Sequence, residues 1–294
     1  MNYSTVAIIY NPNSTGSSES MAKEFAAELQ RAIPEQSIDL IATEYAGHAE
    51  KLAYDIATSS NRPLIISSSG DGGYHEVING AMQAQAEGAH PTTSLLPAGN
   101  ANDHYRNLHD TDLIEQIISG KTTAIDLLKL SSQSDGEPIE RYAHSYIGFG
   151  LTPLVGKELN KVKLSLFIEF FVVARALFTI KPVRLKIGPK ARSYESVIFS
   201  NVDEMSKYLK ISQPSSVHDG KFEVTIFKRR NKLRLIMTLL KASLQGVQED
   251  QQVSEFTLST VRSTLVQADG EIIRLDAKAT VAITVAAGAL TCVV

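Results

Sequence analysis

Apolar residues recur along this chain in two different patterns, and the change comes near the middle. From Thr5 to Tyr10 (TVAIIY) they run almost unbroken, as in a buried strand, until Asn11-Pro12 ends the run. Met21, Phe25, Leu29 and Ile33 then repeat at helical spacing as far as Pro34. Strand and helix patterns keep alternating through Ser37–Thr43, Ala46–Thr58, Pro63–Ser67, a helix from about Gly73 to Ala86, and Thr93–Leu96. Buried strands alternating with helices predict a parallel sheet covered on both faces, and such sheets bind ligands at the carboxyl ends of their strands. Those ends are the loops at Asn11, Thr43, Ser69 and Pro97.

Beyond about Ile125 the apolar segments shorten and turn residues separate them. Ala124–Leu130, Ala143–Phe149, Val183–Ile187, Ser196–Asn201, Lys221–Phe227, Ser254–Leu258, Thr264–Gln267, Ile272–Leu275 and Ala279–Ala286 predict a mainly antiparallel β-sandwich. The expected organisation is an α/β domain over residues 1–124 and a β-sandwich domain over 125–294. Two helical patterns interrupt the second half, Lys157–Thr179 and Leu233–Leu244. The first carries Glu169 and Arg175 inside its apolar run and the second is too short, so neither is expected to span a membrane.

Composition narrows the class. With 294 residues, 43% hydrophobic and 21% charged, the chain has the globular mixture, which excludes disorder, collagen and coiled coil and favours two domains. Cys292 is the single cysteine, so no internal disulfide is possible. The first residues show neither a basic region nor a cleavable apolar stretch, and the expected location is cytoplasmic, peripheral at the inner membrane surface. Charge is unevenly divided. Residues 1–124 hold 6 basic and 15 acidic residues, a balance of −9, whereas 125–294 hold 23 and 17, a balance of +6. Solvated surfaces of opposite bias explain this, and so does a basic half facing an anionic surface. Phe167, Phe170, Phe171 and Phe178 among lysines fit either a helix over the sandwich or an interfacial element. The acidic first half and a pI near 6.2 argue against a nucleic-acid partner.

Two loops carry candidate chemistry. In PLIISSSGDGGYHEVING a strand runs into Gly70-Asp71-Gly72-Gly73 and directly on into a helix. Residues without a Cβ let backbone amides approach an oxyanion, and the helix start adds N–H groups and the positive end of its dipole. The bland alternative is a sharp reversal that binds nothing. No Lys-Ser or Lys-Thr closes the loop as in a P-loop, and GxGxxG is absent. The second loop, Pro97 to Asp103, gathers Gly99, Asn100, Asn102 and Asp103 at a helix start, where ordinary capping would also favour Asn and Asp.

Taken together, the motifs resemble the catalytic-domain family of diacylglycerol kinases, which includes sphingosine and ceramide kinases. An NPxSG-like loop appears as Asn11-Pro12-Asn13-Ser14-Thr15-Gly16, with one residue inserted. GGDGTxNEVxNG appears as Ser69 to Gly80, and PxGTxNDxAR as Pro97 to Arg106. A DGxLEV-like strand, Asp219 to Val224, and the element Asp269-Gly270-Glu271 complete the family order over nearly the whole chain. Ser69, Gly73, His75 and Asn100 depart from the pattern.

The resemblance implies an ATP- and Mg²⁺-dependent lipid kinase acting on a hydroxyl of a diacylglycerol-like lipid in phospholipid biosynthesis. Phosphoryl transfer needs held phosphates, charge neutralisation and a carboxylate for the acceptor proton. By resemblance, Asn11, Thr15, Thr43, Gly70, Asp71, Gly72, Gly73, Glu76, Gly99, Asn100, Asn102 and Asp103 hold the nucleotide. Asp269 is the expected base with Glu271 as its orienting partner, and Asp219, Asp103 and Asp126 are the expected Mg²⁺ residues. If the hydroxyl missing at Gly73 limits turnover, a threonine there is expected to raise it, and a flat or lower rate would mean that the chain compensates elsewhere or is specialised for another ligand. Rival readings are an NAD kinase-like enzyme, whose family shares a GGDG loop, and a nucleotide- or lipid-binding protein without turnover. Partners are a lipid at the membrane surface and a nucleotide, and a homodimer is one assembly the sequence leaves open.

Overall fold

A computed structural model describes residues 3–14, 17–99, 105, 112–150, 182–202, 204–205, 209–210, 216–228 and 251–294. The helical patterns at 157–179 and 233–244 lie outside the described residues. The chain divides into two compact units, one of 1–126 with 287–294 and one of 127–286. A linear division at residue 124 therefore misses the last eight residues, which rejoin the first unit.

In the first unit, β1 (Val6–Tyr10), β2 (Ile38–Ala42), β3 (Leu64–Ser69) and β4 (Thr92–Pro97) are parallel in the order β2-β1-β3-β4. Between them run α1 (Ser18–Ala32), α2 (His48–Ser59) and α3 (Asp71–Ala86), and α4 (Leu113–Ser119) follows β4. Val6 and Ile8 pack with Phe25 and Leu29 of α1 and Ile117 of α4, while Ala7 and Ile9 on the alternate face are equally buried. The sheet is thus covered on both sides, which is why its strands read as continuous apolar runs. The helix α4 was not foreseen. It is too short for a periodic signal, but Asp112 caps it by accepting from Ile114 and Glu115 N–H, and Gly120 ends it in the left-handed region.

In the second unit the described strand registers within residues 127–286 are antiparallel. Its strands are β5 (Thr122–Ser134), β6 (Glu137–Ala143), β7 (Tyr146–Gly150), β8 (Val183–Ile187), β9 (Lys190–Ser200), the two-residue β10 (Glu204–Met205) and β11 (Leu209–Lys210), β12 (Phe222–Lys228), β13 (Gln251–Val253), β14 (Glu255–Thr260), β15 (Thr264–Ala268), β16 (Glu271–Leu275) and β17 (Thr280–Val293). Phe149, Phe199 and Phe222 meet edge to face in its core, with Leu128, Leu185, Val266 and Ile283 around them. The hairpin β5–β6 was also not foreseen, because β6 is polar on its exposed side. Its signal was nevertheless present: Asp135-Gly136 takes positive φ at both residues, the two-residue turn that suits a twisted hairpin, and Asp276 accepts both of their N–H groups.

The final strand explains the return to the first unit. Cys292 of β17 pairs in parallel with Thr93 of β4, and Val293 is wholly buried among Val6, Leu64 and Leu113. Tyr74 of α3 meets Thr93 Oγ1 at 2.9 Å and Cys292 Sγ at 3.5 Å. Burial pushes the Tyr74 hydroxyl well above its ordinary pKa and raises the Cys292 thiol as well, so neither is set up for proton chemistry.

Helix α3 comes exceptionally close to α2. A Cβ on Gly80 would lie 2.0 Å from the Glu50 carbonyl oxygen and 3.0 Å from the Ala53 Cβ. Gly80→Ala must force the two helices apart, and overpacking of this kind costs about 1–3 kcal/mol. Thermal unfolding of the variant is expected to show a clear loss of stability, whereas Gly88→Ala, with open space around it, is expected to be far milder apart from its positive φ.

Candidate functional site

The loops leaving β1, β2, β3 and β4 lie at the carboxyl ends of the parallel strands, and hydrogen bonds fasten them to one another. Asn11 N–H donates to Ser18 Oγ at 3.1 Å, and the Asn11 side chain accepts Asn13 N–H at 2.9 Å, closing an Asx turn. Ser18 and Ser68 each donate a side-chain hydroxyl to the other's backbone carbonyl, which pins the start of α1 to β3. Thr43 N–H donates to Tyr10 O at 2.8 Å and extends the β1–β2 pairing into the loops. Around these ties opens a cleft of about 310 Å³ whose lining includes Asn11, Asn13, Thr43, Tyr45, Ser67, Ser69, Gly73 and Glu76.

One wall of the cleft is the turn into α3. Gly70 is extended at the N-cap, and its carbonyl accepts the N–H groups of both Gly73 and Tyr74 at 3.1 Å. The amides of Asp71 and Gly72 stand outside that ladder, at the positive end of the helix dipole. The loops also approach each other closely: a Cβ on Gly70 would sit 3.1 Å from Gly99 Cα. Backbone stands here where side chains would intrude, an arrangement that lets amides approach an anion. Tyr45, 57% exposed, stacks on His48 with ring centroids 4.5 Å apart beside the same cleft, a pair that motif reading passed over.

Of the residues expected to hold a nucleotide, Asn11, Thr43, Gly73 and Glu76 line this cleft, and Gly70, Asp71, Gly72 and Gly99 form the adjoining turns. Thr15, Asn100, Asn102 and Asp103 lie outside the described residues. Glu76 has a structural task in this arrangement. Its two oxygens accept Gly47 N–H at 3.1 Å and Ala49 N–H at 3.2 Å, so it caps α2, whose own N-cap glycine has no side chain to offer.

The carboxylates of the second unit separate into two kinds. Asp269 and Gly270 form the two-residue turn between β15 and β16, both at positive φ. The Asp269 side chain is buried and accepts the backbone N–H groups of His144 at 2.5 Å, Ser145 at 3.0 Å and Tyr146 at 2.9 Å. His144 Nε2 lies 3.4 Å from the same carboxylate, and Ser145 Oγ is 2.7 Å from His144 Nδ1. A carboxylate offers about four lone-pair sites, and three of them are taken by backbone donors. Glu271 is 37% exposed and lies 3.4 Å from Arg141 Nε. His144 and Ser145 were missed by sequence reasoning, although a polar pair inside a β-rich run was a visible signal.

Two of the three expected metal residues lie among the described residues, one in each unit. Asp126 is buried and accepts Gly288 N–H at 2.7 Å, Asp219 is exposed and accepts Lys221 N–H, and Asp103 is outside the described residues. Among the described residues no group of three or more His, Cys, Asp or Glu side chains could hold a metal ion.

An α/β unit with this glycine turn, joined to an antiparallel unit, is the fold of diacylglycerol kinases and NAD kinases. The structure is similar to a diacylglycerol kinase from Bacillus anthracis str. Sterne, with TM-score 0.70 and 19% identity over 100% of this chain and 97% of the other. It is similar at greater distance to yeast NADH kinase complexed with NADH, with TM-score 0.54 and 13% identity over 100% of this chain and 84% of that one. In sequence, residues 5–130 match the family model of the diacylglycerol kinase catalytic domain. A curated diacylglycerol kinase of Bacillus subtilis (strain 168) is 28% identical over 76% of this chain and 74% of its own length. The resemblance read from the motifs is thus matched in sequence over residues 5–130, which hold three of the five, and in fold over the whole chain.

The two carboxylates of the second unit are expected to behave differently when neutralised. Asp269→Asn turns an amide NH₂ or a weaker acceptor toward buried N–H donors, and one unsatisfied buried group costs about 1–3 kcal/mol. Glu271→Gln changes only a half-exposed pair, worth about 0–1 kcal/mol. Urea denaturation of the two variants checks the contrast, and equal stability would mean that Asp269 is not an anchor.

Proposed function

We propose that this chain is a lipid kinase that transfers the γ-phosphoryl group of ATP, accompanied by Mg²⁺, to a hydroxyl of a diacylglycerol-like acceptor. The observation that carries the reading is the cleft at the carboxyl ends of the parallel strands, walled by the glycine turn into α3 and lying within the matched catalytic domain. What ATP supplies when bound is a transferable phosphoryl group; the protein supplies position and charge. The amides at the start of α3 orient the phosphates, Asn11 and Thr43 add polar contacts, and Tyr45 offers a ring for the base. Asp103, Asp126 and Asp219 are the residues that would hold Mg²⁺, which when bound would offset the triphosphate charge.

For the acceptor proton we assign Glu271, reversing the roles expected from the motifs. Asp269 is buried and accepts three backbone N–H groups, so we read it as a positioning residue that fixes the hairpin tip from which Glu271 begins β16. A lipid substrate at the membrane surface accords with the excess of basic residues in 125–294, which would draw the chain to anionic lipid. Among the described residues no helix is long and apolar enough to cross a membrane, so a peripheral location is proposed.

The test is transfer of labelled γ-phosphate to a total lipid extract, with the product identified and NAD(H) supplied as a competing acceptor. A labelled phospholipid is expected. Label on NAD(H) would move the chain to the branch of its more distant structural neighbour, and ATP binding with no transfer to any acceptor would leave a binding protein. Glu271→Gln is expected to lower turnover by about 10²-fold or more at nearly constant ATP affinity, as loss of a general base does. Retained turnover in that variant would rule out the assignment.

A further inference from the structure

Two positions of the cleft compete for one volume. An ideal Cβ on Gly73 would lie 2.6 Å from Ser69 Cβ and 2.7 Å from Ser69 Oγ, closer than real Cβ atoms come. The Ser69 Cβ is bonded to the backbone and has no rotamer that removes it, so side chains at 69 and 73 exclude each other. Both residues line the cleft. The volume is held by a hydroxyl: Ser69 Oγ lies 2.7 Å from Ser67 Oγ and donates to Gly70 O at 2.9 Å.

That last bond is dispensable. The Gly70 carbonyl already accepts Gly73 and Tyr74 N–H, which fill its two lone pairs. The Ser69 proton can therefore turn to a ligand without leaving a buried group unpaired, while the buried Ser67 hydroxyl remains in hydrogen-bond reach of Ser69 Oγ. We propose that Ser69 is a phosphate-binding residue of this cleft, its hydroxyl donating to a phosphoryl oxygen of the nucleotide, and that Gly73 is glycine because Ser69 occupies its side-chain space. The inference rests on the nucleotide reading above. It runs against the reading in which a threonine at 73 would raise turnover, since that side chain would collide with Ser69 before it could donate.

The experiment uses the full chain and four variants: Ser69→Ala, Ser69→Gly, Gly73→Ser, and Ser69→Gly with Gly73→Ser. Calorimetry measures ATP, inorganic pyrophosphate and adenosine, and thermal unfolding reports the fold. Ser69→Ala keeps the volume and removes the hydroxyl, so ATP and pyrophosphate are expected to bind about tenfold more weakly, with adenosine affinity and melting temperature unchanged. Gly73→Ser alone is expected to lower the melting temperature without tightening ATP. The double variant is expected to recover both, a non-additivity that only a shared volume produces. ATP binding by Ser69→Ala at wild-type strength would overturn the role of the hydroxyl, and a stable, tighter-binding Gly73→Ser would overturn the exclusion. A wild-type chain that binds neither ATP nor pyrophosphate would instead sink the nucleotide reading itself.

Discussion

What the first unit presents at the ends of its strands depends on how near α3 can come to the chain around it. Two glycines one heptad apart permit that approach, Gly73 against Ser69 and Gly80 against the backbone of α2. The helix is then locked from outside, by Glu76 on the α2 amides and by Tyr74 on Thr93 and Cys292. A helix held at so many points cannot drift, so the amides at its start keep one geometry, and a fixed geometry is what anion recognition by backbone requires.

Carboxylates play an unexpected part in both units. Glu76 and Asp269 belong to the motif positions that carry chemistry by resemblance, yet each has both side-chain oxygens engaged with backbone N–H groups. Their negative charge still matters, because it neutralises donors that a tight loop or a helix end leaves without partners. The distinction between an acid that reacts and an acid that holds the chain is one of accessible lone pairs, and no spacing in a sequence reports it.

The parallel half of the fold was legible because buried strands and amphipathic helices each impose a period on the chain. The glycine turn into α3 was legible because several unusual residues stand together. What escaped was short or depended on contact in space. α4 is seven residues long, and β6 alternates weakly. Ser69 and Gly73 looked like two separate departures from a pattern, since only a distance across the turn shows that their side chains would compete for one volume. Likewise nothing local to Asp269 announced His144, 125 residues away in the chain.

The burial of Val293 bears on the order in which the protein comes into being. Synthesis proceeds from the amino end, and domains ordinarily fold as they emerge. Here Val6, Leu64 and Leu113 are translated early, but the side chain that closes their cluster follows the intervening 127–286 segment. The parallel sheet must therefore wait with an open seam beside β4 while the antiparallel unit is made, and only the arrival of the final strand turns an early, partly exposed core into a sealed one.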